Sequence, residues 1–231
     1  MDRWCHTAGM QPPRVLRSVR LAATSLLEDL GVFVAGNALF GLTLLIVVVA
    51  TQLSLAGNLL LIPLALPAAA VMRMATVHVR RGVVGMPAFA EGLHHPWRTL
   101  ALATGQLLIA FLFTVDITLG WSVGGLAGGV LAISGFYGLL ALWAYAIVAW
   151  VLLLDPRADG QRVRYTLRVA AFVLVSRPLP ALGLALLLAL ILAISVVSLL
   201  GIFTIGFALA CLTAAHWVLP TADLLLDREK P

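Results

Sequence analysis

The sequence predicts an all-α integral membrane protein: a bundle of six transmembrane helices arranged as three hairpins, preceded by an amphipathic interfacial helix. Three observations predict it. The 231 residues are 62% hydrophobic and 11% charged, with a mean hydropathy of +1.06, where a soluble domain is roughly 45–50% apolar and about 25% charged. Uncharged runs reach 43 residues at 30–72 and 41 residues at 179–219, each about twice the roughly 20 needed to cross a bilayer once. All the cations lie in segments that a six-span chain brings to one side of the membrane. Such a composition excludes a disordered chain, a coiled coil, collagen and a disulfide scaffold.

Residues 1–13 form a polar arm ending in Pro12 and Pro13 and are expected to be disordered. No apolar stretch follows the first basic residues closely enough for a cleaved signal peptide, so the first span is expected to remain as an anchor. From 14 to 30 the pattern is helical, with Val15, Leu16, Val19, Ala22, Ala23, Leu26, Leu27 and Leu30 on one side. Arg14, Arg17, Ser18, Thr24, Ser25 and Glu28 fall on the other. Such a helix either lies in the membrane interface or packs on the protein's own loops.

The run at 30–72 divides near Thr51, Gln52, Gly57 and Asn58, which predicts spans at 31–52 and 58–77. Residues 99–154 contain one charge, Asp116, and the glycine-rich stretch at 120–129 divides them into spans at 99–119 and 130–154. The run at 179–219 would make a helix of about 60 Å, twice the hydrocarbon thickness. It is expected to cross twice, at 179–198 and 201–219, within one transmembrane domain covering 14–225, with 226–231 as a C-terminal tail.

The cations test this count. Arg3, Arg14, Arg17 and Arg20 precede span one, and Arg73, Arg80, Arg81 and Arg98 lie at or between the ends of spans two and three. Arg157, Arg162, Arg164, Arg168 and Arg177 fall between spans four and five, and Arg228 and Lys230 follow span six, which accounts for all 15 Lys and Arg. The other three connections hold none. The positive-inside rule therefore predicts both termini and the two long connections, at about 78–98 and 155–178, on the cytoplasmic side. The net charge of +5 is then a match to anionic lipid headgroups in the bilayer, not to nucleic acid.

Each long connection carries basic residues, a short helix candidate and a proline before the next span, at 89–96 and at 171–178. Either an internal repeat of two-span units or the general preference of proline for helix starts explains this.

Chemistry-bearing motifs are few. There is no phosphate-cradling Gly-x-x-x-x-Gly-Lys-[Ser/Thr], no His-Glu-x-x-His and no Gly-x-Ser-x-Gly, so an ATPase subunit, an intramembrane zinc hydrolase and an α/β-hydrolase-type nucleophile are not expected. Cys5 and Cys211 lie in unlike surroundings and imply neither a disulfide nor a metal site. No cofactor is expected. The adjacent pair His94 and His95 points its side chains about 100° apart on a helix, a poor geometry for one metal, and is expected at headgroup level. His78, His216, Trp97 and Trp217 fall at predicted membrane edges and are expected to be interfacial.

Asp116 is the one carboxylate inside a predicted span. It is either a proton-relay or cation site, or a solvated helix end near Trp121. Gln106 and Asn37 either line a polar path with it or make interhelical hydrogen bonds. Pro63 and Pro67 are expected to kink span two, with or without a role in transport. Gly120, Gly124, Gly125, Gly128 and Gly129 give small-x-x-x-small spacings that describe either a helix contact or an outer turn. With Gly135 and Gly138 in span four, they mark a candidate helix-packing face for a partner or for self-association.

Asp29 and Leu30 leading into Asn37, Ala38, Leu39 and Phe40, the stretch Leu66, Pro67, Ala68, Ala69, Ala70, and Arg81 and Gly82 followed by Pro87, Phe89, Gly92, Trp97 and Arg98 together resemble the YesL-like family of bacterial membrane proteins. The resemblance spans about residues 25–220. This chain keeps Phe89 alone where the family has an aromatic pair in the first cytoplasmic connection. The resemblance implies a polytopic protein of the bacterial cytoplasmic membrane, a non-catalytic accessory of carbohydrate uptake associated with sugar ABC transporter subunits, and it carries over no catalytic residues. The alternative from the residues alone is a small-solute or ion-coupled transporter with a polar path around Asp116.

Overall fold

The computed structural model describes residues 14–54, 59–94, 96–198, 201 and 204–228. The N-terminal arm with Cys5, Gly57 and Asn58 where the second span is expected to begin, His95 and Lys230 lie outside them. The described residues form nine α-helices and no strand: α1 (Val15–Glu28), α2 (Leu30–Leu53), α3 (Leu61–Arg81), α4 (Met86–Leu93), α5 (Pro96–Val123), α6 (Gly125–Leu153), α7 (Val163–Ser176), α8 (Pro178–Val197) and α9 (Gly206–Arg228). The helices α2, α3, α5, α6, α8 and α9 are long and apolar enough to cross a membrane.

Helix α9 is the centre of the bundle. Ala208, Leu212, Ala214, Ala215, Val218 and Leu219 are fully buried along it, and α1, α2, α3, α6 and α8 all pack against it. Its run of alanines lets the surrounding backbones approach closely, which is how membrane helices gain packing without a hydrophobic drive between them. Trp217, expected at the interface, is 1% exposed in this core, whereas Trp97 is 82% exposed.

Helix α1 follows a similar logic. It packs on α9 and buries Ser18, Ala22, Ser25 and Leu26, spaced as one helical face. Leu16 and Leu27 are instead 79% and 70% exposed. The expected assignment of Ser18 and Ser25 to the outer side is therefore corrected. Small side chains make the close helix contact with α9.

Helix α3 carries Pro67 inside it, where the missing donor opens one turn. Pro63 stands in the first turn, where backbone N–H groups have no intrahelical partner anyway. The expected kink at Pro63 is thus corrected. The helix ends at Gly82, whose φ of +78° closes it with a hydrogen bond from its N–H to the His78 carbonyl at 2.7 Å, a left-handed cap that favours glycine.

The turn between α5 and α6 is tighter than the expected outer loop at 120–129. Gly124 and Gly125, with φ of +65° and +64°, make the reversal, and both helices continue almost to it. A Cβ at Gly120 would fall 2.6 Å from the Gly128 carbonyl oxygen, and one at Gly135 would fall 2.8 Å from the Phe113 carbonyl oxygen. Gly138 faces the Phe113 ring. The glycine face is therefore occupied within the hairpin, and Gly124 is the turn itself.

The two short helices on the basic side pack on the spans before them, α4 on α3 and α7 on α6. Pro96 and Pro178 each open the following span, at first-turn positions that proline favours.

Candidate functional site

The basic end of the bundle is tied together by two arginines one heptad apart on α3. Arg73 is 6% exposed. Its Nη1 donates to the Leu154 carbonyl and to Asp159 Oδ1, each at 3.1 Å, and its Nη2 donates to Asp159 Oδ2 at 2.5 Å and Glu91 Oε2 at 3.2 Å. Thr76 Oγ1 donates to the same Leu154 carbonyl at 2.7 Å. Leu154 closes α6, so one of the orphan carbonyls at that helix end is capped from α3.

Arg80, one heptad on, grips two carboxylates. Its Nη2 meets Asp155 Oδ2 and its Nη1 meets Asp223 Oδ2, both at 2.5 Å. Asp155 also accepts from the Arg157 backbone N–H at 3.1 Å, which caps the 3-10 turn Pro156–Ala158. Arg157 reaches Asp223 at 3.4 Å. A cavity of about 170 Å³ lies beside this cluster, with Tyr165 and Gln161 on its wall.

A third tie involves His78, which is 4% exposed and not interfacial as expected. Its Nδ1 lies 2.9 Å from Asp29 Oδ2, which also accepts from the Val84 backbone N–H at 3.2 Å. Beside it, Ser25 Oγ lies 2.9 Å from His216 Nε2. A serine beside a histidine resembles a nucleophile and base. Here Ser25 is 6% exposed and seated in the α1–α9 contact, while Asp29 engages His78, so the pair joins helices and offers no accessible nucleophile.

None of these ties was singled out among the sequence's candidate sites, although Arg73 carried a signal. It lies inside the expected second span, and an arginine at that depth must find partners. Its partners Glu91 and Asp159 lie 18 and 86 residues away, and a single sequence does not show such pairings.

The three polar side chains expected inside the membrane do not share one site. Asn37 is fully buried and accepts from the Ala208 backbone N–H at 2.9 Å, in the first turn of α9. Gln106 Oε1 accepts from Trp150 Nε1 at 2.7 Å. Asp116 is half-buried where α5 meets α6, with its Cβ beside Gly135, and it makes no ion pair among the described residues. It lies seven residues before the end of α5, about 10 Å along the helix axis.

Gln106 also faces a groove of about 510 Å³ between α2, α3, α5, α6 and α9, lined by Phe40, Met72, Ala103, Leu139, Trp143 and Phe207 among others. Of the three polar side chains it alone lines that groove. Among the described residues no cluster of His, Cys, Asp and Glu is arranged to hold a metal ion. Cys211 is 1% exposed in the core.

No family model, curated protein or solved structure matches this chain.

Proposed function

We propose that the protein is a non-catalytic accessory of carbohydrate uptake, seated in the bacterial cytoplasmic membrane with both termini inside and associated with sugar ABC transporter subunits. The YesL-like resemblance of the sequence motivates the carbohydrate and transporter parts, and the distribution of arginines motivates the orientation. One structural observation supports a scaffold over a carrier: Asn37 stands at the α2–α9 contact, while Gln106 and Asp116 lie ten residues, about 15 Å, apart along the α5–α6 contact, and two of the three have specific hydrogen-bond partners. A coupled transporter needs its polar groups gathered around a substrate or ion site, typically at broken helices near the midplane. The ties from Arg73, His78 and Arg80 further fasten α3 to four neighbouring segments, which favours a helix arrangement that holds still.

Proton flux tests this without knowledge of a substrate. The wild type and Asp116→Asn are reconstituted in vesicles loaded with a pH-sensitive dye, and a potential is imposed. The accessory reading expects both to match protein-free vesicles. A wild-type flux that Asp116→Asn abolishes would replace it with ion-coupled transport.

A further inference from the structure

The connection between α6 and α8 leaves its cations without counter-charges. Arg162, Arg164 and Arg168 are exposed and make no ion pair among the described residues. Helix α7 carries no carboxylate of its own. Asp155, Asp159 and Asp223, which the fold brings to the same end of the bundle, are engaged by Arg80, Arg73 and Arg157.

Helix α7 is held beside the spans along its length. Thr166, Ala170 and Val173 are buried where α7 packs on α6, and the Tyr145 hydroxyl on α6 donates to the Leu167 carbonyl at 3.2 Å. Tyr145 lies eight residues before the end of α6, about 12 Å along that helix. The middle of α7 therefore lies beside the last turns of a span and not beyond them. At its far end only Arg177 separates Ser176 from Pro178, the first residue of α8.

The exposed side of α7 changes character along the helix. Arg164, Arg168, Phe172 and Val175 are exposed at spacings of four, eight and eleven residues, which place them on one helical face. The first two are cationic and the last two apolar. The apolar end continues on α8 as Leu179, Leu186, Leu190 and Ile194, exposed at spacings of seven, eleven and fifteen residues. An exposed apolar stripe on a membrane span meets acyl chains. The arginines thus begin where the hydrocarbon gives way, at the level of the lipid phosphates. Two arginines one turn apart are close enough to share one phosphate group. An acidic protein segment would match the arginines but leave Phe172 and Val175 uncovered.

We propose that α7 binds anionic phospholipid of the leaflet at the basic end. The guanidinium groups of Arg164 and Arg168 hold the phosphate, Arg162 adds positive potential beside it, and the acyl chains descend past Phe172, Val175 and Leu179. A zwitterionic lipid brings its own ammonium group to the same place and is the weaker ligand. The surface depends on neither the accessory role nor a transport role.

The test uses the full chain in phosphatidylcholine vesicles with a trace of phosphatidylglycerol that carries a diazirine near the ester end of one acyl chain, and cross-links are mapped by peptide mass spectrometry. Labelling is expected to concentrate on residues 168–179 and to fall about fivefold for each arginine removed in Arg164→Gln and Arg168→Gln. The double lysine variant, Arg164→Lys with Arg168→Lys, keeps the charge and is expected to keep most of the labelling. Arg17→Gln with Arg20→Gln removes the same charge from α1 and should leave labelling at 168–179 unchanged. Unlabelled phosphatidylglycerol should compete, and phosphatidylethanolamine should not. Both glutamine variants should melt as the wild type does in detergent, since neither arginine has a protein partner to lose. Even labelling over all the spans, labelling at 168–179 unchanged by the two glutamine substitutions, an equal loss in the α1 variant, equal competition by the two lipids, or destabilisation by either glutamine substitution would each overturn the proposal.

Discussion

Asn37 on α2 caps α9: its side-chain oxygen accepts the Ala208 N–H at 2.9 Å across the core. The first turn of α9 needs such a partner, because its N–H groups precede any intrahelical acceptor and no water reaches a fully buried site. The polar residue that the sequence offers as part of a path is thus a cap for a helix 171 positions away.

Asn37→Leu is therefore expected to destabilise the fold by about 0.5–2 kcal/mol, the range for a helix cap or an interhelical hydrogen bond in lipid. Thermal unfolding in mild detergent reads the change. No shift would mean that Ala208 finds another acceptor.

The two arginines of α3 are expected to differ. Arg80→Met leaves Asp155, whose side chain is 7% exposed, as an unpaired buried carboxylate, an effect of about 3–5 kcal/mol. Arg73→Met leaves Glu91 and Asp159, which are 42% and 49% exposed and can be hydrated, so its effect is smaller, about 1–3 kcal/mol. Adding Asp155→Asn to Arg80→Met removes the buried charge and should recover part of the loss. A double variant no more stable than Arg80→Met alone would count against this origin.

Two glycines of α6 are expected to respond with opposite sign. Gly135→Ala drives a methyl group to 2.8 Å from Ile117 Cγ1 and the Phe113 carbonyl oxygen, an overpacking effect of about 1–3 kcal/mol. A Cβ at Gly129 meets nothing within 4 Å, so Gly129→Ala should be neutral or stabilising by up to about 1 kcal/mol. Paired melting curves decide it, and a destabilised Gly129→Ala would place an unseen contact on that face.

On α1, Ser18→Leu is expected to lift the helix from α9, because Ser18 is fully buried in a contact made of small residues. Increased protease cleavage within 15–28 in vesicles would report it. Leu16→Ser, at a position 79% exposed, should leave the protease pattern unchanged. Identical patterns for both variants would contradict the packing of α1.

The six long helices were legible because crossing hydrocarbon demands length and apolarity, and both are written directly in residues 30–72, 99–154 and 179–219. The ends were less so. Helix α9 runs on to Arg228 beyond the expected end at 219, since Asp223 is neutralised by Arg80 and so can sit on a helix that composition alone would end earlier. The facing of α1 differs from the apolar pattern because its buried side is set by side-chain size at the α9 contact, with Leu16 and Leu27 left exposed. Ser18 and Ser25 turn inward because small side chains fit the close contact with α9. Pairings such as Arg73 with Asp159 remained hidden because they are fixed by tertiary approach, not by local spacing. Gln106 was found by its type, but its groove arises from five helices and has no local signature.

Affinity purification of the chain from native membranes in mild detergent, followed by mass spectrometry, is the decisive measurement. Stoichiometric recovery of sugar-transporter permease or ATPase subunits is the expected result and would name the system served. Recovery of the protein alone, as a monomer or a homo-oligomer, would contradict the accessory role.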